Sequence, residues 1–231
     1  MRSMLISIAL FALATAASAS DGSLEINQAC AAGPGCFSGD AAGFPVTITT
    51  AATSYRLTSS LTVPNENTDA IVVVAADVAI DLNGFSISGP NSCFAPPGGC
   101  RFTGTGIGIR VQDVMDRLSV SNGSIVGMGG VGIYSGFGDG YVIRDVRFSN
   151  NRFEGVRLDG GAAIVEGITS VRNGGDGIRL GDVASVSGST AYQNGLIGIE
   201  TGSGATISGN TAYQNGSLGI SAGGGTTISN N

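Results

Sequence analysis

Two arginines and a set of acids are the part of this 231-residue chain best equipped for chemistry: Arg157 and Arg179, with Asp159, Asp176 and Glu200. A guanidinium offers a planar fork of donors that matches a carboxylate, so Arg157 and Arg179 are candidates for gripping an anionic sugar. Asp159 and Asp176 are their candidate acidic partners, and Glu200, Tyr192 and Tyr213 are candidate substrate-binding groups. Glycoside hydrolysis needs two carboxylates at a defined separation, which Asp159, Asp176 and Asp182 could supply, although no motif fixes such a pair. The sequence holds neither histidine nor lysine, which removes the commonest general base.

The spacing of these residues is set by a repeat. Gly188-Ser-Thr-Ala-Tyr-Gln-Asn194 returns 21 residues later as Gly209-Asn-Thr-Ala-Tyr-Gln-Asn215. An apolar residue after glycine recurs at Ile133, Val156, Ile178, Ile199 and Ile220, and an asparagine stands five residues earlier at Asn151, Asn173, Asn194 and Asn215. Such self-similarity marks a stacked array. The units are built from Gly, Ser, Thr, Val, Ile and Asn in short alternating runs, which favours strands over a helical hairpin repeat. One turn of a parallel β-helix every 22 residues or so follows. Residues one period apart then stack about 4.8 Å from each other, so columns carry more meaning than linear motifs. The residue after each apolar anchor, Arg110, Tyr134, Arg157, Arg179, Glu200 and Ser221, is expected to point outward, with Glu154, Asp159 and Asp176 near the adjoining turns. A structural pairing of Arg179 with Glu200 across neighbouring strands is the simpler explanation of this column, because surface ion pairs are common.

Composition agrees with a solenoid. Glycine occurs 39 times, proline 6 times and tryptophan never, and the 42% hydrophobic share suffices to fill a continuous core. A net charge of −6 without a basic run excludes nucleic acid and anionic membranes as partners. Met1-Arg2, the apolar run from Leu5 to Ala16 and then Ala17-Ser18-Ala19 read as a signal peptide over residues 1–19. The mature chain is therefore expected to be secreted or periplasmic. Four cysteines in an exported chain suggest disulfides rather than metal. Three connectivities are possible, and the local ones, Cys30–Cys36 and Cys93–Cys100, are favoured because proline and glycine bend each intervening segment. No metal site is expected.

In chain order, residues 20–45 form an N-terminal cap without a repeat, and residues 46–231 form the β-helix domain, interrupted by a loop insertion over 90–105. Ile80-Asp-Leu-Asn-Gly-Phe-Ser-Ile-Ser-Gly89 is similar to the opening coils of right-handed parallel β-helix proteins of the pectin-lyase-like superfamily, and the Thr-Ala-Tyr-Gln-Asn-Gly units resemble their repeats. The resemblance spans roughly residues 46–231 and implies an all-β solenoid of about eight coils. It leaves the activity open, because that superfamily contains lyases, hydrolases, esterases, epimerases, maturation proteins and non-enzymatic spikes. In its lyases an arginine can serve as base, and calcium is possible as a cofactor in that case alone. The histidine motif of its epimerases has no counterpart here. The last strand at Thr226-Thr-Ile-Ser-Asn-Asn231 breaks off within a coil, which predicts a C-terminal continuation or a partner that covers it.

Other columns have competing explanations. Tyr192 and Tyr213 could be a sugar platform or a cross-strand aromatic pair. Thr169, Thr190 and Thr211 form a single column, too narrow for an ice-binding lattice. The asparagines are expected to be an internal ladder, and Asp81-Leu-Asn83-Gly84 an Asx turn rather than a calcium loop. Three functional expectations result: recognition of an extracellular or cell-surface polysaccharide along a face of the solenoid; a polysaccharide lyase or related enzyme using Arg157 or Arg179 with Asp159 or Asp176; or a non-catalytic structural or adhesive rod.

Overall fold

A computed structural model describes residues 22–93 and 100–231, without the side chains of Cys93 and Cys100. The segment read as a signal peptide lies outside the described residues. The chain is a parallel β-solenoid with three faces. The first and second faces belong to one 14-stranded sheet, and the third is an 8-stranded sheet. Two long strands, Ser119–Val126 and Val142–Ser149, run around the corner between the first two faces and join them. The third face stacks Val46–Ile48, Ile71–Val73, Ile109–Val111, Ile133–Ser135, Val156–Leu158, Ile178–Leu180, Ile199–Thr201 and Ile220–Ala222 in parallel register. Eight strands on one face correspond to about eight coils.

The alternation of each three-residue strand decides which side chains go inside. On the first face Ile80, Val120, Ile143, Val165, Val186 and Ile207 stack coil upon coil, all essentially inaccessible to solvent. Each such side chain gains about 1.5–3 kcal/mol by leaving water, and the column repeats that gain without needing a second layer. On the third face the apolar anchors Ile109, Ile133, Val156, Ile178 and Ile199 are likewise fully buried. The glycine before each anchor has a steric reason: a Cβ at Gly177 would lie 2.6 Å from the Gly198 carbonyl oxygen of the next coil.

Three corners close each turn, and each is made by one residue in the left-handed conformation. Asp145, Gly167, Gly188 and Gly209 bend the chain from the first to the second face; Asn150, Arg172, Gln193 and Gln214 follow the second; Arg117, Gly140, Ala162, Val183, Gly204 and Gly225 precede the first. Asn and Gly tolerate this region best, which accounts for much of the composition. Behind the second corner the asparagines form the ladder anticipated from their period. The side-chain amide of Asn151 donates to Asn173 Oδ1 (3.0 Å), Asn173 to Asn194 Oδ1 (3.0 Å) and Asn194 to Asn215 Oδ1 (3.1 Å). Each Oδ1 also accepts the backbone N–H of the asparagine one coil before it.

The N-terminal segment covers the edges that the first coil would otherwise expose. Leu24–Ile26 pairs in parallel with Ser54–Leu57, so the solenoid begins earlier than the repeat pattern suggests. A one-turn helix, Gln28–Ala31, carries Gln28, whose amide exchanges two hydrogen bonds with the backbone of Thr62. Asp40 accepts from the backbone N–H of Thr47 and of Cys36. Cys30 and Cys36 form the disulfide expected from their local spacing. Cys93 and Cys100 are directly opposed in a short antiparallel pair at the base of the loop insertion. Asp81 Oδ1 accepts the N–H of Asn83, the Asx turn expected there. Among the described residues, no helix is long and apolar enough to cross a membrane.

Candidate functional site

Strand register brings Arg157, Arg179 and Glu200 together on the third face, with Asp159 and Asp176 just outside the ends of the strands that carry the two arginines. Arg110, Tyr134, Arg157, Arg179, Glu200 and Ser221 are consecutive partners in one outward column. Arg157 donates through Nε and Nη2 to Asp159, at 2.9 Å to its Oδ2 in both cases. Arg179 lies between three acids, 3.3 Å from Glu200, 3.8 Å from Asp176 and 3.8 Å from Asp159. Asp176 is almost wholly buried, and its other oxygen accepts the backbone N–H of Ile197 at 2.8 Å. Its position thus serves the next coil as well as Arg179.

The electrostatics follow from this crowding. Burial pushes the Glu200 carboxyl above its ordinary value; Arg179 opposes that shift, and the nearby Asp176 and Glu154 reinforce it. The hydrogen bonds from Arg157 to Asp159 hold the Arg157 guanidinium more firmly protonated than usual. A base must release its proton, so this pairing makes Arg157 a poorer base. Among the described residues, no group of three or more histidines, cysteines or acids is arranged to hold a metal ion.

Further towards the N-terminus the same face hollows into a groove of about 510 Å³. Tyr134 and Phe137 supply rings on one side, and Asp69, Arg110, Gln112 and Asp113 supply polar groups. Phe137 is 65% exposed. Arg110 donates through Nε and Nη2 to both oxygens of Asp69, a bidentate pair formed across 41 residues of sequence. Arg157 sits over the Tyr134 ring at 5.6 Å, so the groove and the charged cluster are continuous. Phe137 and Asp69 escaped the sequence reading. An aromatic side chain alone in the glycine-rich turn Gly136-Phe-Gly138 was the available signal for the first; the second is visible only through the fold.

Tyr192 and Tyr213 are not part of this face. They stack in parallel on the second face, ring centroids 5.0 Å apart and planes inclined by 1°. Val171, one coil earlier in the same column, is buried, so the platform is limited to two rings. Thr169, Thr190 and Thr211 lie beside them in register. Asp182 accepts the N–H of Ser203 and serves a corner, apart from the Arg179 cluster.

Parallel stacking of short strands, left-handed corners and an asparagine ladder together define a β-helix repeat protein. A family model for the right-handed β-helix region matches residues 83–231, well over half of the chain, and the protein belongs to that family. No curated protein sequence matches it.

Proposed function

We propose that the protein is exported and recognises a hydroxyl-rich extracellular or cell-surface polysaccharide along its third face. The observation that carries this reading is the groove in which Tyr134 and the exposed Phe137 stand beside Arg110, Asp69 and Gln112. Aromatic rings stack on the apolar faces of sugar rings, while fixed planar polar groups meet their hydroxyls. Repeats extend such a site along the solenoid axis. The sequence suggested an anionic glycan, but Arg110, Arg157 and Arg179 are each engaged by carboxylates of the chain itself. With carboxylates outnumbering guanidinia here, a neutral glycan is favoured over a polyanion.

A second reading uses the same cluster for turnover. Its support is Glu200, whose elevated pKa beside the buried Asp176 suits a proton donor better than Arg157 suits a base. Calcium would enter only with a lyase mechanism.

Affinity electrophoresis of the full chain through gels containing neutral or acidic polysaccharides tests the first reading, with product analysis for the second. Retardation by a neutral glycan, lost in Tyr134→Ala/Phe137→Ala, is the expected result. Products that vanish in Glu200→Gln would replace binding with catalysis. Neither signal in the folded protein would leave the structural rod.

A further inference from the structure

A separate cleft of about 420 Å³ lies at the second corner, away from the third-face groove. Its origin is a column that loses its side chains. Arg152 is followed one and two coils later by Gly174 and Gly195, whose backbone forms the floor. These glycines are sterically required: a Cβ at Gly174 would lie 2.1 Å from the Arg152 carbonyl oxygen and 3.1 Å from the Phe102 ring. Phe102, from the end of the loop insertion, and Phe153, which is 43% exposed, supply the aromatic walls. The left-handed corner column supplies one long edge, where Arg172 Nε donates to Gln193 Oε1 at 3.1 Å.

The polar groups of this cleft are unevenly distributed. Arg152 and Arg172 bring two positive charges, and among the described residues no carboxylate lines the cleft. Arg152 places its guanidinium 5.0 Å from the Phe153 ring and directs Nη1 to the Gly104 carbonyl at 2.6 Å, which fixes it at the end of the trough. Gln193 is already tied to Arg172 and Gln214, and the Asn173 side chain belongs to the ladder. Few partners remain for the many hydroxyls of a sugar, whereas flat apolar walls with a cationic edge suit one class of ligand well.

We propose that this cleft binds a small aromatic carboxylate, its ring between Phe102 and Phe153 and its carboxylate on Arg152 and Arg172. The site is independent of the polysaccharide reading. Sodium 2-naphthoate is a suitable probe, because the protein has no tryptophan to obscure its fluorescence. Titration of the full chain is expected to give saturable binding, with neutral 2-naphthylmethanol bound at least about tenfold more weakly. Two variants borrow the residues that later coils use at the same positions, so the fold is preserved: Arg172→Gln, as at Gln193, and Phe153→Leu, as at Leu196. Each is expected to weaken naphthoate by about tenfold while leaving the melting temperature near that of the parent. Equal binding of acid and alcohol, unchanged binding in both variants, preference for galacturonate over naphthoate, or no saturation at millimolar probe would each overturn the proposal.

Discussion

Arg179 Nη1 lies 3.3 Å from Glu200 Oε2 on the adjoining coil, and the same guanidinium approaches the buried Asp176 at 3.8 Å. One cation is thus shared by these two acids and by Asp159, and Glu200 bears the consequence. Burial first, then Asp176 and Glu154, raise the Glu200 pKa above the usual 4.5 despite Arg179. A carboxyl with a higher pKa in the folded state holds its proton more tightly there. Its contribution therefore favours folding below the ordinary glutamate value and declines as pH rises through that value to the elevated one. Urea unfolding of the parent and Glu200→Gln across the acidic range should show the parent losing stability relative to the variant as pH rises. A relative gain would mean that attraction to Arg179 outweighs the burial.

The asparagine ladder makes a graded prediction along the solenoid. Asn173 Oδ1 accepts both the backbone N–H and the side-chain amide of Asn151, and Asn173 is 2% exposed. Asn173→Ala leaves these donors without an acceptor and should cost about 3 kcal/mol. Asn215 performs the same service for Asn194 but is partly open to water, so Asn215→Ala should cost about 1 kcal/mol. Chemical denaturation of both variants checks the ratio; equal losses would show that water already penetrates the interior ladder.

A buried tyrosine shapes the groove from below. The single proton of the Tyr141 hydroxyl is shared between the carbonyl oxygens of Met115 (2.6 Å) and Phe137 (2.5 Å), and its oxygen lies 2.8 Å from Ser135 Oγ. Tyr141→Phe removes these bonds while keeping the ring, at a cost of about 1–3 kcal/mol. The turn bearing Phe137 should loosen, which hydrogen exchange would detect as faster exchange at residues 136–140. Unchanged exchange would place the hold on Phe137 elsewhere.

The period exposed the fold because stacking leaves each coil the same task. Identical anchors at Ile178 and Ile199, and identical ladder residues at Asn173 and Asn194, need no knowledge of distant contacts. The outward column was legible for the same reason, since Arg157, Arg179 and Glu200 are one period apart. Their pairing was not, because whether Arg179 meets Asp176 or solvent depends on turn conformation. The Asp69–Arg110 pair lay further from reach: it crosses the loop insertion, where the period is interrupted. The corner cleft was hidden for a different reason, being formed by missing side chains at Gly174 and Gly195 and closed by Phe102.

Among the residues of the corner that precedes the first face, Val183 is the one with a β-branched side chain. Val183 has φ of 58° and is 65% exposed, whereas the next two coils place Gly204 and Gly225 at the same corner. A β-branched side chain in the left-handed region clashes with its own backbone, a penalty of about 1–2 kcal/mol. Packing does not offset that cost at so exposed a site, and the backbone bond from Val183 N–H to the Ser203 carbonyl survives substitution. Val183→Gly relieves the strain but increases the freedom of the unfolded chain, which takes back up to about 1 kcal/mol. A net gain of about 1 kcal/mol is expected, read as a higher denaturation midpoint. Val183→Asn, which tolerates the same backbone with less unfolded-state freedom, should gain at least as much. Loss of stability in both variants would mean that the valine side chain contributes packing beyond what its exposure indicates.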